Sequence, residues 1–257
     1  MCDYKKYVIV NKITKGNNQI GGGKKEIYFI RHGETDWNVA ARGQGQEADI
    51  PLNSTGKTQS ITTGKYLNDY RQLDSNFDCI ISSPMKRAYS TAKNIAKEIS
   101  IDKKSIKKLN ELIENKAGIL SGQTDKDKIK KKFTQQVADA MADITDPIEI
   151  YKLDNYVEAD IFFTTKIDDY GLESGAELMD RINKVIDYIK ETDCKRIIVV
   201  SHSSFLDSLL KVIFSINKLP KGDLSKGKNC WICYCTYFNG VFHMISPINT
   251  EHFKLYE

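Results

Sequence analysis

An arginine and a histidine directly follow a short apolar run near the start of the chain. Residues 27–30 are apolar and rich in strand-forming types, and Arg31, His32 and Gly33 come next. The run predicts a buried strand that stops at the glycine. Open α/β sheets bind ligands at the carboxyl ends of their strands. A fixed cation beside an imidazole at such an end suits an anionic substrate and a histidine that attacks it as a nucleophile.

A second histidine follows another apolar run, late in the chain. Residues 197–200 are Ile-Ile-Val-Val, which predicts a central buried strand, and the next residues are Ser201, His202 and Ser203. His202 is therefore expected at the end of a strand, in the same kind of position as His32.

A second arginine lies just beyond a third predicted strand. Residues 77–82 predict that strand, and Ser83 and Pro84 are expected to open a helix, with Ser83 as the N-cap and Pro84 in the first turn. Arg87 falls in the first turns of this helix, where backbone N–H groups also favour an anion. It is a further candidate ligand for a negatively charged substrate.

The motifs around these residues resemble the signatures of the histidine phosphatase superfamily, the phosphoglycerate-mutase-like enzymes. Residues 31–38, Arg-His-Gly-Glu-Thr-Asp-Trp-Asn, resemble its first signature, and residues 82–92 resemble its second. Residues 201–204 resemble its closing histidine motif, although the family usually has glycine where Ser203 stands. The resemblance implies an α/β fold, a three-layer sandwich with a mostly parallel central sheet flanked by helices.

The resemblance also implies roles for these side chains. His32 would attack phosphorus and form a phosphohistidine. Around the phosphoryl group, Arg31, Arg87 and His202 would offset the charge on its oxygens. The further positions expected to contact the substrate are Asn38, Gln44 and Ser203.

Two glutamates compete for the place of the general acid. The family pattern is Leu-x-Glu with glycines four and eight residues beyond the glutamate. Glu114 fits this pattern, with Gly118 and Gly122 after it, whereas Glu111 has the leucine but not the glycine spacing. Glu114 is therefore the expected acid. It would protonate the leaving oxygen, which needs a carboxyl that its surroundings keep partly neutral.

The length of the chain and the extent of the motifs predict one catalytic domain. A single α/β domain of 257 residues is ordinary. Residues 1–25 are expected to form an N-terminal arm with a glycine-rich connector, and residues 26–257 a single histidine phosphatase domain. A helical lid insertion is expected around residues 123–170, where the resemblance fades, and this span should set the choice of substrate.

Composition indicates which binding partners and which cellular compartment to expect for this protein. A formal net charge of +4 suits a small phosphorylated substrate and is too small and dispersed to indicate nucleic acid. No apolar run approaches the roughly 20 residues that cross a bilayer, so no membrane association is expected. The six cysteines suggest no disulfide framework, which favours reduced thiols and a cytoplasmic location. Residues 230–235 form Cys-x-x-Cys-x-Cys, but no second ligand pair follows, so neither a metal nor another cofactor is expected.

The function expected from these residues is metal-independent hydrolysis of phosphate monoesters through a phosphohistidine. A phosphoglycerate-type phosphomutase is the alternative. Mutases of the family carry an arginine just after the catalytic glutamate and a tyrosine two positions further on, where this chain has Asn115 and Ala117. A phosphoprotein phosphatase is a weaker alternative. So is an inactive binding module, because such modules usually lack one of the family's histidines or arginines and none is lost here. The sequence leaves open the identity of the substrate and whether the chain forms a homo-oligomer.

Overall fold

The computed structural model describes residues 23–71, 76–118, 121–122, 124, 173, 175–214 and 228–255. Nearly all of the predicted N-terminal arm and of the predicted helical lid lies outside these residues, so both stay predictions. No helix among the described residues is long and apolar enough to span a membrane.

Six strands form one mixed sheet. They are β1 (Lys25–Arg31), β2 (Cys79–Ser82), β3 (Lys107–Lys108), β4 (Arg196–Ser201), β5 (Ile232–Phe238) and β6 (Val241–Asn249). Their order across the sheet is β3-β2-β4-β1-β5-β6. The neighbours from β3 to β1 pair in parallel, whereas β5 pairs antiparallel with β1 and β6 antiparallel with β5. Since the central strands are parallel, their carboxyl ends lie at one edge of the sheet.

Helices cover both faces of this sheet. The α-helices are α1 (Asp36–Val39), α2 (Ser54–Arg71), α3 (Lys86–Glu98), α4 (Gly175–Glu191) and α5 (Ser203–Phe214). Short 3₁₀ turns lie at Lys103–Ser105, Asn110–Leu112 and Glu251–Leu255. One hydrophobic cluster joins the sheet to α4 and α5, and a second joins it to α2 and α3.

The alternation of side chains along β1 separates the two clusters. Ile27 and Phe29 belong to the cluster with α4 and α5, whereas Tyr28 and Ile30 belong to the cluster with α2 and α3. Successive side chains of a strand point to opposite faces, so a strand buried on both faces must be apolar throughout. The structure therefore confirms the predicted three-layer α/β fold with its mostly parallel central sheet.

The register of the parallel strands places the predicted site residues at one edge. Arg31 at the end of β1 lies opposite Ser201 at the end of β4. One residue further, the His32 N–H donates to the Ser201 carbonyl at 2.9 Å, and the Ser83 N–H donates to the Val200 carbonyl at 3.0 Å. The segments that follow β1, β2 and β4 thus leave the sheet side by side.

The predicted helix start at Ser83 and Pro84 was wrong. Helix α3 begins at Lys86, and Met85 occupies the N-cap position without a side-chain cap. The backbone of Ser83 continues the sheet through its bond to Val200, so it lies short of the helix. Its hydroxyl instead lies 2.8 Å from the Nε2 atom of His202.

Candidate active site

His32 is held rigidly just past the end of β1. The residue is buried, and its carbonyl accepts hydrogen bonds from the Asn229 side chain at 3.0 Å and the Cys230 N–H at 3.2 Å. Its ring Nδ1 lies 2.7 Å from the carbonyl oxygen of Gly33. Because a carbonyl can only accept, Nδ1 carries the ring proton and Nε2 keeps a free lone pair. This is the tautomer that a histidine nucleophile needs.

The surroundings of His32 also keep its ring neutral. Burial lowers the pKa of His32 well below its usual range, and the positive charges of Arg31 and Arg87 lower the pKa further. A neutral imidazole is the nucleophilic form, so the ring is available for attack at neutral pH.

Two buried guanidinium groups flank this histidine. The Nη1 atom of Arg31 donates to the Lys228 carbonyl at 3.0 Å. Arg87 is fully buried in α3, and its guanidinium donates to the carbonyls of Ala48 at 3.1 Å and Gly45 at 3.2 Å. Arginine stays protonated in proteins, so the site holds two fixed positive charges.

His202 lies beside His32, directly after β4. The two ring centroids are 5.2 Å apart, with 57° between the ring planes. The Ser83 hydroxyl accepts from the Met85 N–H at 3.3 Å and lies 2.8 Å from His202 Nε2, so it can donate its own hydrogen to that nitrogen. The ring proton then sits on Nδ1, a buried atom that has no hydrogen-bond partner among the described residues. Burial, and after it the charge of Arg87, lowers the pKa of His202 well below its usual range.

Glu114 brings a buried carboxyl to the same cluster. Its Oε1 accepts from the N–H groups of Asn115 at 2.9 Å and Phe205 at 3.0 Å, and its Oε2 lies 3.4 Å from the Ser204 N–H. Burial raises the pKa of Glu114, and these hydrogen bonds and the charge of Arg87 partly oppose the rise. A carboxyl with a raised pKa keeps its proton to higher pH than an exposed glutamate, as a general acid requires.

The two candidate glutamates lie in different surroundings. The negative charge of Glu114 acts on both Arg31 and Arg87, where it opposes the fall in pKa that burial causes. Glu111 is half-buried beside α4. The pKa of Lys184 on that helix is raised, first by its contact with Asp180 and then by the charge of Glu111, which shows that the Glu111 carboxylate lies near this helix. The structure thus brings Glu114 together with the arginines and histidines, and places Glu111 against α4.

The two expected amide contacts have their oxygens occupied by protein donors. The Asn38 Oδ1 accepts from the Thr35 N–H and from the Asn229 side chain, both at 3.1 Å. The Gln44 Oε1 lies 3.0 Å from the Thr35 hydroxyl, and its Nε2 is buried with no partner among the described residues. Each amide is therefore oriented with its NH₂ group as the group left to bind an acceptor. Ser203 is half-buried as the first residue of α5.

Several residues of this arrangement were not predicted as site residues. Asn229 bridges the backbone of His32 and the side chain of Asn38, although nothing in its local sequence indicates this. Ser83 was assigned only a helix cap. Arg181 of α4 contacts the main chain on the way to Glu114, and its spacing in the helix gave no signal beyond an ordinary polar face.

Cys233 and Cys235 of the cysteine run lie in β5, and Cys230 lies two residues before that strand. Cys233 and Cys235 lie two residues apart on β5 and so share one face of the strand, and both belong to the cluster with α4 and α5. Burial raises the pKa of the Cys230 and Cys233 thiols to about 12. Among the described residues, no group of three or more His, Cys, Asp or Glu side chains is arranged to hold a metal ion.

The chain is similar to proteins named as phosphatases and as phosphoglycerate mutases. An uncharacterized phosphatase of Bacillus subtilis (strain 168), PhoE, is 46% identical over 69 residues, which are 27% of this chain and 33% of that protein. A 2,3-bisphosphoglycerate-dependent phosphoglycerate mutase of Bartonella henselae is 31% identical over 113 residues, which are 44% of this chain and 52% of that protein. The chain thus matches a third to about half of the length of these relatives.

The fold has a solved counterpart, and a family model covers nearly the whole sheet. The crystal structure of phosphoglycerate mutase from Bacillus anthracis str. Sterne superposes with a TM-score of 0.66 at 24% identity, over 89% of this chain and 95% of that one. The model of the histidine phosphatase superfamily (branch 1) matches residues 27–249, from β1 to the end of β6. With the fold and the family model in agreement over most of its length, the chain belongs to the histidine phosphatase superfamily (branch 1).

Proposed function

We propose that this protein is a phosphatase that hydrolyses small phosphate monoesters through a phosphohistidine on His32. The neutral Nε2 of His32 attacks phosphorus while the bond from phosphorus to the ester oxygen breaks. Glu114 donates its proton to that oxygen, and the alcohol leaves. In the second step, Glu114 takes a proton from water, whose oxygen attacks phosphorus. The phosphorus–nitrogen bond breaks, inorganic phosphate leaves, and His32 is neutral again.

The observation that carries this proposal is the set of buried N–H donors and charges around the His32 ring. Arg87 Nε, His202 Nδ1 and Gln44 Nε2 are buried without a partner among the described residues. A buried donor without an acceptor costs about 1–3 kcal/mol. The oxygens of a phosphoryl group would supply acceptors, and the positive charges of Arg31 and Arg87 would offset its negative charge through a loose transition state.

Hydrolysis is favoured over mutase activity by the residues that follow Glu114. The small side chain of Ala117 packs so closely on Gly45 that a Cβ atom built at Gly45 would lie 2.5 Å from the Ala117 Cβ. Next to it, the Glu47 carboxylate accepts from the Gly118 N–H at 2.8 Å. Asn115 and Ala117 stand where a mutase is expected to have an arginine and a tyrosine, and neither offers a cation for a sugar acid. The nearby Glu47 carboxylate would repel such an acid rather than bind it. The named mutase among the relatives keeps that activity as the second candidate.

The first test is the release of inorganic phosphate from a panel of phosphorylated metabolites. We expect several monoesters to be hydrolysed at the same rate with and without 2,3-bisphosphoglycerate, because a hydrolase returns to free His32 in each cycle. A mutase would instead interconvert phosphoglycerates, and its rate would depend on 2,3-bisphosphoglycerate. Interconversion without net phosphate release would contradict hydrolysis and support the second candidate.

A second test concerns metal ions. We expect dialysis against EDTA to leave the rate unchanged, because Arg31 and Arg87 supply positive charge at the place where a metal-dependent phosphatase uses cations. The control is the same dialysed sample after addition of zinc or magnesium. A rate that falls on dialysis and returns with either metal would overturn the proposed chemistry, and would make His32 and His202 candidate ligands.

The organisation and location of the protein belong to the same proposal. We take residues 26–257 as a single catalytic domain, with residues 123–170 as the segment that selects the substrate. Cys230, Cys233 and Cys235 are unpaired and buried in β5 and just before it, which supports the proposed cytoplasmic location.

A further inference from the structure

Arg181 of α4 makes hydrogen bonds with the segment that carries Glu114, and the active-site chemistry described above does not use it. We propose that Arg181, held by Glu173, is the positioning residue that fixes the Glu114 carboxyl for proton transfer. This inference rests on the proposed function, since it concerns how the general acid of that reaction is oriented.

The guanidinium of Arg181 binds the main chain on the approach to Glu114. Its Nη1 donates to the carbonyls of Glu111 at 2.7 Å and Ile113 at 2.8 Å. Between these two, the Leu112 carbonyl accepts from the Ser201 hydroxyl at 2.7 Å. Side chains from α4 and β4 thus hold three successive carbonyls before the acid, in a segment where a short 3₁₀ turn makes few backbone bonds of its own.

Arg181 also contacts two residues that donate backbone hydrogen bonds to the Glu114 carboxylate, Asn115 and Phe205. Its Nη2 lies 3.4 Å from the Asn115 Oδ1, directly after Glu114. Its Cζ atom lies 4.6 Å from the ring centroid of Phe205, and the Phe205 N–H donates to the Glu114 Oε1 at 3.0 Å. One guanidinium therefore ties the segment that carries the carboxyl to the start of the helix that binds it.

Glu173 fixes the guanidinium in turn. Its two carboxylate oxygens accept from Arg181 Nε at 2.7 Å and Arg181 Nη2 at 2.6 Å, and the two side chains are 5% and 13% exposed. All five N–H bonds of Arg181 are then used, which only the planar fork of an arginine can provide. Lysine has three donors on a flexible stem, so it would keep the charge and lose the geometry.

The test is Arg181→Lys, assayed on an alkyl phosphate such as β-glycerophosphate and on p-nitrophenyl phosphate. A mispositioned general acid should lower kcat on the alkyl phosphate by about 10- to 100-fold with little change in KM. The loss on p-nitrophenyl phosphate should be much smaller, because its leaving group needs no proton. Lys184→Ala is the matched control, since Lys184 pairs with Asp180 on the exposed side of the same helix.

A double mutant separates positioning from general stability. In a Glu114→Gln background, Arg181→Lys should cause no further loss on the alkyl phosphate, because the carboxyl that it positions is gone. If Arg181 has only a structural role, Arg181→Lys should lower the activity on both substrates equally, and by the same factor with or without Glu114→Gln. The loss should then follow the folded fraction of the protein. Glu173→Gln provides a second route should Arg181→Lys not fold, and we expect the same selectivity with a smaller loss.

The outcomes distinguish this inference from the function on which it rests. If Glu114→Gln alone shows neither a selective loss on the alkyl phosphate nor a burst of p-nitrophenolate, the acid assigned in the proposed function is wrong. If Glu114→Gln shows either effect, but Arg181→Lys and Glu173→Gln show no burst and lower the activity on both substrates equally, the positioning role is wrong and the proposed function stands.

Discussion

His32→Ala should lower the turnover of p-nitrophenyl phosphate by about 10⁴-fold or more, because the variant has no nucleophile to accept the phosphoryl group. The fold should persist, since the hydrogen bonds at residue 32 that join β1 to Ser201, Asn229 and Cys230 use backbone atoms. Phosphate release by the purified variant measures the loss. Its circular dichroism and thermal midpoint establish that it is folded.

Covalent labelling makes this prediction specific to the phosphohistidine. Wild-type protein quenched during turnover of a radiolabelled monoester should carry an acid-labile phosphoryl group, and His32→Ala should carry none. His243→Ala is the matched control, because His243 lies in β6, at the far edge of the sheet from the site, and should keep wild-type activity. A folded His32→Ala protein with wild-type activity would refute the assignment of the nucleophile.

Glu114→Gln should slow the hydrolysis of an alkyl phosphate by about 10²–10⁴-fold, the usual contribution of a general acid. The hydrolysis of p-nitrophenyl phosphate should slow far less, because p-nitrophenolate leaves without a proton. Glu111→Gln should stay close to wild type on both substrates, since the Glu111 side chain lies against α4, where its charge acts on Lys184. Comparison of kcat for the three proteins on the two substrates is the measurement.

Two further observables sharpen the test of Glu114. Burial raises the pKa of Glu114, so the acid form persists to higher pH than for an exposed glutamate, and the rate on alkyl phosphates should fall once the pH exceeds that raised pKa. Glu114 also activates water in the second step, which is the same for both substrates, so phosphohistidine should accumulate in Glu114→Gln and reduce the difference in kcat between them. A burst of p-nitrophenolate then separates the first step from the second. Equal losses on both substrates without a burst, or a selective loss in Glu111→Gln, would contradict the choice of acid.

The choice between Glu111 and Glu114 rested on local sequence alone. It was made from the glycines that follow Glu114, and the structure supplies a physical reason for them. Gly118 has a φ of 49° and Gly122 a φ of 72°, a left-handed conformation that other residues adopt at a cost. The Trp37 ring also lies 3.2 Å from the place of a Cβ at Gly122. Because these backbone requirements are local, the glycines that meet them can be recognised in the sequence.

The sequence by itself determined the fold class and the strand ends at which the histidines lie. Each histidine directly follows an apolar run, and a run that is apolar at every position is what burial on both faces of a parallel sheet demands. The position of Arg87 was similarly evident from the strand before it. These features depend on a few neighbouring residues, so periodicity and motif spacing are enough to predict them.

The tertiary structure alone decided which side chains contact His202 and the segment before Glu114. The Ser83 hydroxyl meets His202 across 119 residues, and Arg181 meets the carbonyls before Glu114 across about 70. The register between β1, β2 and β4 and the packing of α4 on the sheet create these contacts. Serine and arginine have the same local pattern whether they cap a helix, lie in solvent or bind a distant carbonyl. Since the partner in each case is set by the three-dimensional arrangement of elements far apart in the chain, no local pattern could have predicted it.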